Sequence, residues 1–190
     1  MAGLIERAGP IRLRLPRDSD PFVDLAETIV YQQLAGKAAA AIWRRVAALF
    51  DGAMTPSAVL AMSDEALRAA GLSPNKAVSI RDLAQKVADG TVPLDTIRRL
   101  RDDDIVTRLS TVRGIGRWTA EMFLIFQLRR LDVWPVDDYG VRKGWAVAHG
   151  LPQLLKPREL MEEGERFRPY RTVVAWYCWR AVDLTLPGQA

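Results

Sequence analysis

Apolar residues recur at three- and four-residue intervals through nearly all of this 190-residue chain, and alternation at every second position is almost absent. That period predicts an all-α fold. The helix starts are written locally. Asp20-Pro21, Thr55-Pro56 and Ser73-Pro74 each place a side chain able to cap a helix directly before a proline at the first helical position. After Asp20, one face carries Phe22, Leu25, Ala26 and Ile29. Ala38 to Phe50 repeats the pattern with Ile42, Val46 and Leu49, and the segment after Ser73 does so with Ala77, Ile80, Leu83, Ala84 and Val87 until Gly90 stops it. Short helices are predicted over Asp95 to Leu100 and Asp103 to Leu109, and a long apolar one from Gly116 to about Arg130. Two more follow, over Asp138 to Ala148 and Tyr170 to Leu184. The one alternating run, Ile11 to Leu15, is short.

Two counts exclude whole classes of chemistry. Cys178 is the only cysteine and His149 the only histidine. An internal disulfide, a cysteine-held iron–sulfur cluster, a multi-histidine metal site and most serine–histidine arrangements need more than that. His149, in Ala148-His149-Gly150, reads as a solvated residue at a helix end. Hydrophobic residues at 49% and charged residues at 26% describe an ordinary globular chain. No apolar run reaches membrane-spanning length, and the N-terminus has no apolar signal core, so a cytoplasmic, nucleoid-associated location is expected. The net charge of +4 is compatible with a nucleic-acid partner without requiring one.

Two segments carry candidate chemistry. In Leu109 to Ala120 a short helix gives way to Gly114-Ile115-Gly116, and a long helix starts. Glycines at that spacing can turn backbone amides outward at a helix N-terminus, where an anion is favoured, with Arg113 and Arg117 beside it. A plain tight turn would use the same residues. In Trp134-Pro135-Val136-Asp137-Asp138-Tyr139, two carboxylates open a helix. One aspartate there is ordinarily a cap, but two exceed what a cap needs. Trp118, Trp134, Tyr139, Tyr170, Trp176, Tyr177 and Trp179 crowd the second half. Most of these read as core, and those beside the carboxylates could wall a pocket for a flat cationic guest.

Taken in order, these residues resemble the helix-hairpin-helix (HhH-GPD) DNA glycosylases, and among them the bacterial 3-methyladenine DNA glycosylase II type. The likeness runs from about Leu13 to Leu184. It rests on Leu13-Arg14-Leu15-Pro16, Ile29 to Leu34 with Lys37-Ala38-Ala39, Gly71-Leu72-Ser73 with Lys76, Gly114 to Ala120, Asp137-Asp138-Tyr139, and Arg168-Pro169-Tyr170-Arg171 leading to Trp179. The resemblance implies one glycosylase unit over 1–190, built as two helical subdomains with an active-site cleft. The first would be a central subdomain of about 33–130 that contains the hairpin at 109–120. The second would combine 13–32 with 131–186. The β-rich N-terminal domain of larger relatives is expected to be missing.

The resemblance further implies monofunctional excision of alkylated bases, of the 3-methyladenine and 7-methylguanine type, by hydrolysis of the N-glycosidic bond after base flipping. Asp138 would be catalytic, with Asp137 the alternative. Trp118, Met122, Tyr139 and Trp179 would line the base pocket, Met122 standing where close relatives have an aromatic residue. DNA would be held by Gln33, Leu34, Arg113, Gly114, Ile115, Gly116, Arg117 and Thr119, with Gln33 or Leu34 filling the gap left by the flipped base. Relatives that also cut the backbone carry a lysine where this chain has Trp118. No cofactor and no metal on side chains are implied, although the family's hairpin carbonyls can hold a monovalent cation. The partner would be double-stranded DNA with a damaged base, bound by a monomer. Two other readings are a glycosylase for an oxidised or mismatched base, and a non-catalytic hairpin protein that only binds DNA.

Overall fold

A computed structural model describes residues 2–13 and 20–185, and every regular element among them is helical. Residues 14–16 of the expected lead-in, Arg14 and Leu15 of the alternating run, and residue 186 of the expected second subdomain lie outside the described residues. Ile11 to Leu13 form no strand. Eleven α-helices are present among the described residues. They are α1 (Ala2–Ala8), α2 (Pro21–Tyr31), α3 (Gly36–Ala47), α4 (Pro56–Ala61), α5 (Asp64–Ala69), α6 (Pro74–Ala88), α7 (Asp102–Leu109), α8 (Arg117–Phe126), α9 (Tyr139–His149), α10 (Pro157–Gly164) and α11 (Arg171–Asp183). Single 3-10 turns occur at Ile97–Arg99 and Glu165–Phe167.

The cap-plus-proline starts behave as their chemistry requires. Asp20 accepts from the Phe22 amide at 2.7 Å, Thr55 from Ala58 at 3.2 Å and Ser73 from Lys76 at 3.4 Å. Helix α5, which the periodicity did not mark, is capped in the same way by Ser63 on the Ala66 amide at 3.1 Å. Helix α8 stops at Phe126 instead of near Arg130. Arg129 turns left-handed, at φ 59°, and the Leu128 and Arg130 amides reach back to the carbonyls of Phe123 and Leu124. The expected helix over Asp95 to Leu100 is one 3-10 turn.

Packing divides the chain into two compact units, Arg17–Ala120 and the pairing of Met1–Pro16 with Glu121–Ala190. In the central unit, α2 packs on α6 and α3, and α4 packs on α6. Its core includes Ile29, Leu67, Ile80, Leu83, Ile105 and Leu109, all fully buried. Helix α2 therefore belongs with the central helices, whereas the sequence expectation grouped residues 13–32 with the C-terminal segment.

The other unit is built on the α9–α11 pair. Trp134, Val141, Trp145, Leu160, Ala175 and Cys178 form its main core, and Leu4 of α1 joins Tyr177 and Ala181 in a smaller one. Helices α9 and α11 touch nearly backbone to backbone. A β-carbon on Gly144 would lie 1.8 Å from the Cys178 carbonyl oxygen. Trp134 is core, its indole N–H donating to the Leu160 carbonyl at 2.8 Å.

Candidate functional site

The hairpin of the central unit owes its shape to two glycines with different duties. Gly114 has φ 81°, and a β-carbon there would sit 3.0 Å from the Ser79 hydroxyl, so the fold itself demands glycine. Gly116 has neither a left-handed φ nor any atom within 4 Å of where its β-carbon would be. Nothing inside the protein requires glycine at 116. Ile115 is buried and plugs the turn into the core.

Some of the turn's polar groups are already spent. The Arg113 amide donates to Asp82 Oδ2 at 2.7 Å and the Ile115 amide to the Val112 carbonyl at 3.0 Å. The Gly114 carbonyl accepts from Gln32 Nε2 at 2.8 Å, and the Thr111 carbonyl accepts from Lys86 Nζ.

Helix α6 is the common support. Asn75, Ser79, Asp82 and Lys86 stand at i, i+4, i+7 and i+11, one stripe of the helix. Asn75 accepts from Arg113 Nη2 at 3.3 Å, Ser79 packs under Gly114, and Lys86 donates to Asp82 at 2.7 Å. Burial works against the Asp82 charge. The hydrogen bonds and charges of Lys86 and Arg113 outweigh it and hold the carboxyl below its ordinary range. Lys76, on the same helix, donates to the Val30 and Gln32 carbonyls at 2.7 and 2.8 Å, closing the end of α2. Beyond that end, Gln33 is left-handed at φ 57° and Leu34 is 38% exposed.

The carboxylate pair lies in the other unit. Asp138 precedes α9 and its Oδ1 accepts from the Val141 amide at 2.7 Å, so it is a true cap. The same oxygen accepts from Trp179 Nε1, in α11, at 2.8 Å. Asp137 is exposed. Trp179 comes this close because position 140 is glycine, where a β-carbon would meet the indole Cδ1 at 2.8 Å and Asp138 Oδ1 at 3.1 Å. Phe126 stacks on Trp179 with ring centres 5.8 Å apart and planes 26° from parallel.

The approach to Asp138 is stitched to α11. The Arg171 guanidinium donates to Asp132 at 2.7 and 3.0 Å, the Thr172 hydroxyl donates to the Arg130 carbonyl at 2.8 Å, and the Val133 amide donates to that hydroxyl at 2.9 Å. Burial opposes the Asp132 charge, but bonding from Arg171 and the charges of Arg171 and Arg168 outweigh it and lower its pKa. Beneath, burial pushes the Cys178 thiol up to about 12, helped by the Asp138 charge.

The structure thus brings Asp138 and Trp179 together and sets Asp137 apart. Met122 is half-buried on α8, and Tyr139 is 66% exposed beside Lys143 on the flank of α9. In the central unit, Gln33, Leu34, Arg113, Arg117 and Trp118 are exposed, while the Ile115 and Thr119 side chains are buried and can offer a ligand only backbone. Four features escaped sequence reasoning: the stacking of Phe126, the bond from Gln32, the α6 stripe and the Gly140–Gly144 pair. Phe126 lies four residues after Met122 and eight after Trp118, so helical spacing could have found it. Glycines four apart on one helix are a signal of close helix contact. The other two are visible only in three dimensions. No cluster of three or more metal-ligating side chains occurs among the described residues, and no described helix is long and apolar enough to cross a membrane.

A glycine hairpin thus leads into the apolar helix α8, and a capping aspartate bonded to an aromatic N–H follows it in the sequence. Residues 26–169 match the HhH-GPD superfamily base excision DNA repair protein family, and the chain belongs to it. It is 36% identical over 168 residues to DNA-3-methyladenine glycosylase 1 of Schizosaccharomyces pombe, covering 87% of this chain and 74% of that protein. The fold superposes on the structure of the S. pombe 3-methyladenine DNA glycosylase in complex with abasic DNA. The TM-score is 0.80 and the identity 33%, over 97% of this chain and 91% of the other. It also superposes on a DNA-3-methyladenine glycosidase from Bacillus halodurans with a TM-score of 0.86 and 38% identity, covering 95% and 82%.

Proposed function

We propose that this protein is a monofunctional DNA glycosylase that removes alkylated bases of the 3-methyladenine and 7-methylguanine type from double-stranded DNA, acting as a monomer in the cytoplasm with the nucleoid. One observation carries the reading. Asp138 is held by two donors on a single oxygen, one from its own helix and one from an aromatic that stacks on a second aromatic. A carboxylate fixed so firmly suits a site where positive charge develops on a sugar.

In the reaction the C1′–N bond breaks and its electron pair leaves with the base, which an alkyl group has already made cationic. Asp138 stabilises the oxocarbenium-like sugar and orients a water that adds to C1′. The water's proton passes to the carboxylate or to solvent. The products are the free base and an abasic site. Asp138, rather than Asp137, is the residue we assign. Trp179 and Phe126 supply aromatic wall, with Met122 and Tyr139 of the same unit as further lining. Arg113, Gly114, Gly116 and Arg117, with the backbone of Ile115 and Thr119, anchor phosphate, and Gln33 or Leu34 fills the gap after the nucleotide flips. Trp118 has no amine, so no Schiff base with the sugar is expected at that position.

The test is release of free base from duplex oligonucleotides that each carry one lesion. Alkylated purines should be released, leaving an uncut strand that breaks only with alkali or heat, and borohydride should trap no adduct. Release of oxidised or mismatched bases alone, or tight binding with no release, would replace this reading.

A further inference from the structure

The loop after α2 and the hairpin turn are separated by about eighty residues of sequence, yet they are joined directly. Gln32 Nε2 donates to the Gly114 carbonyl at 2.8 Å. On the other side of the same residue, the Gln32 carbonyl accepts from Lys76 Nζ at 2.8 Å. Lys76 belongs to α6, whose stripe of Asn75, Ser79, Asp82 and Lys86 also supports the hairpin. The next residue, Gln33, holds a left-handed backbone that a non-glycine residue adopts only when its surroundings impose it. After it comes Leu34, one of the larger exposed apolar side chains of the unit.

We infer that Gln32 is a positioning residue that locks the loop carrying Gln33 and Leu34 to the hairpin, so that the phosphate anchor and the wedge meet the duplex as one rigid piece. This rests on the glycosylase reading above. The role assigned to Gln32 requires no contact with the base or the sugar. Its donor fixes where the loop stands relative to the anchored backbone, and Lys76 fixes the loop's start. A wedge free to move would lose the advantage of being aimed before contact, because ordering it would then fall on the flipping step. The cost should scale with how much pairing must be broken, since extrusion is easiest for a nucleotide that is already unpaired.

The experiment uses Gln32→Met, which keeps length without a donor, and Gln32→Glu, which sets an acceptor against an acceptor. Single-turnover base release is compared on 7-methylguanine opposite cytosine and on the same lesion opposite a tetrahydrofuran abasic analogue. 2-Aminopurine beside the lesion reports unstacking. Both variants should melt close to wild type. Both should lose about fivefold to tenfold in rate on the paired lesion, the worth of one net hydrogen bond. On the unpaired lesion the loss should shrink below about twofold, with the 2-aminopurine rise slowed in parallel on the paired duplex only. An equal loss on both duplexes, or none on either, overturns the positioning role. If Gln32→Met alone fails to fold, Gln32→Glu carries the same comparison. Wild-type protein that releases no base from either duplex overturns the glycosylase reading, and this inference with it.

Discussion

Trp179 donates its indole N–H to Asp138 Oδ1 at 2.8 Å, the same oxygen that caps α9. One side chain of α11 therefore aims the carboxylate that starts another helix. Trp179→Phe keeps the aromatic face and removes only the donor. Base release should fall about tenfold to a hundredfold, in line with a hydrogen bond to a charged group, while affinity for abasic-site duplex stays near wild type. Unchanged single-turnover rates would show that the bond does not orient the carboxylate.

Asp138→Asn should abolish release and leave the fold standing, because asparagine caps helices as well as aspartate does. Asp137→Asn should behave as wild type, since that side chain is exposed. Circular-dichroism melts and excision assays on the two variants separate the roles. The reverse pattern would move the active carboxylate by one residue.

The two hairpin glycines should respond differently. Gly114→Ala meets a left-handed backbone and the Ser79 hydroxyl, so it should cost about 1 kcal/mol or more of stability. Gly116→Val should leave the melting temperature nearly unchanged and weaken binding to damaged and undamaged duplexes alike, because the open space at its β-carbon is where backbone phosphate would approach. Fluorescence-anisotropy titrations over a salt series would measure this. Loss of lesion preference alone would contradict the phosphate role.

Gly144→Ala would drive a methyl into the Cys178 carbonyl and should cost about 3 kcal/mol or more, at the upper end for overpacking. Gly140→Ala meets the Trp179 ring and the Asp138 carboxylate first, so it should lower activity more than stability. Urea unfolding beside excision rates gives both numbers. A Gly144→Ala protein as stable as wild type would mean that the α9–α11 contact is looser than it stands.

Asp132 supplies the acid-side prediction. Its folded pKa is depressed: burial works the other way, and the Arg171 and Arg168 contacts prevail. A carboxyl of this kind adds stability above its unfolded value, about 3.9, and loses the contribution as pH falls through the lower folded value. The melting-temperature gap between wild type and Asp132→Asn should be full at pH 6 to 7 and narrow below about pH 4. Parallel curves down to pH 2 would mean the ion pair contributes nothing that titrates.

Helix starts were legible because they are local. Asp20, Thr55 and Ser73 cap the very helices their prolines begin, and Asp138 caps α9. The start of α10 carried a comparable signal that went unread: Pro157 at the first position, and Glu159 accepting from the Lys156 amide at 2.7 Å. The early end of α8 was not legible, since an arginine at φ 59° has no sequence mark. For the candidate site, the turn at Gly114 to Gly116 and the place of Asp138 at the start of α9 could be read from the sequence. The clamp on Gln32 and the stripe on α6 could not, because the partners lie 82 residues apart in the Gln32 case and 31 in the Asp82 case, and nothing in either segment announces the other.

Trp118 stands 47% exposed next to the hairpin, while Trp134 and Trp145 are sealed at 4% and 2%. The protein therefore carries its own optical probe. Iodide should quench an accessible, red-emitting share of the indole fluorescence and leave a shielded blue share untouched. A duplex that covers the hairpin should remove the Trp118 part of that accessible share from the quencher, leaving what the half-buried Trp43, Trp176 and Trp179 contribute, with no label attached to protein or DNA.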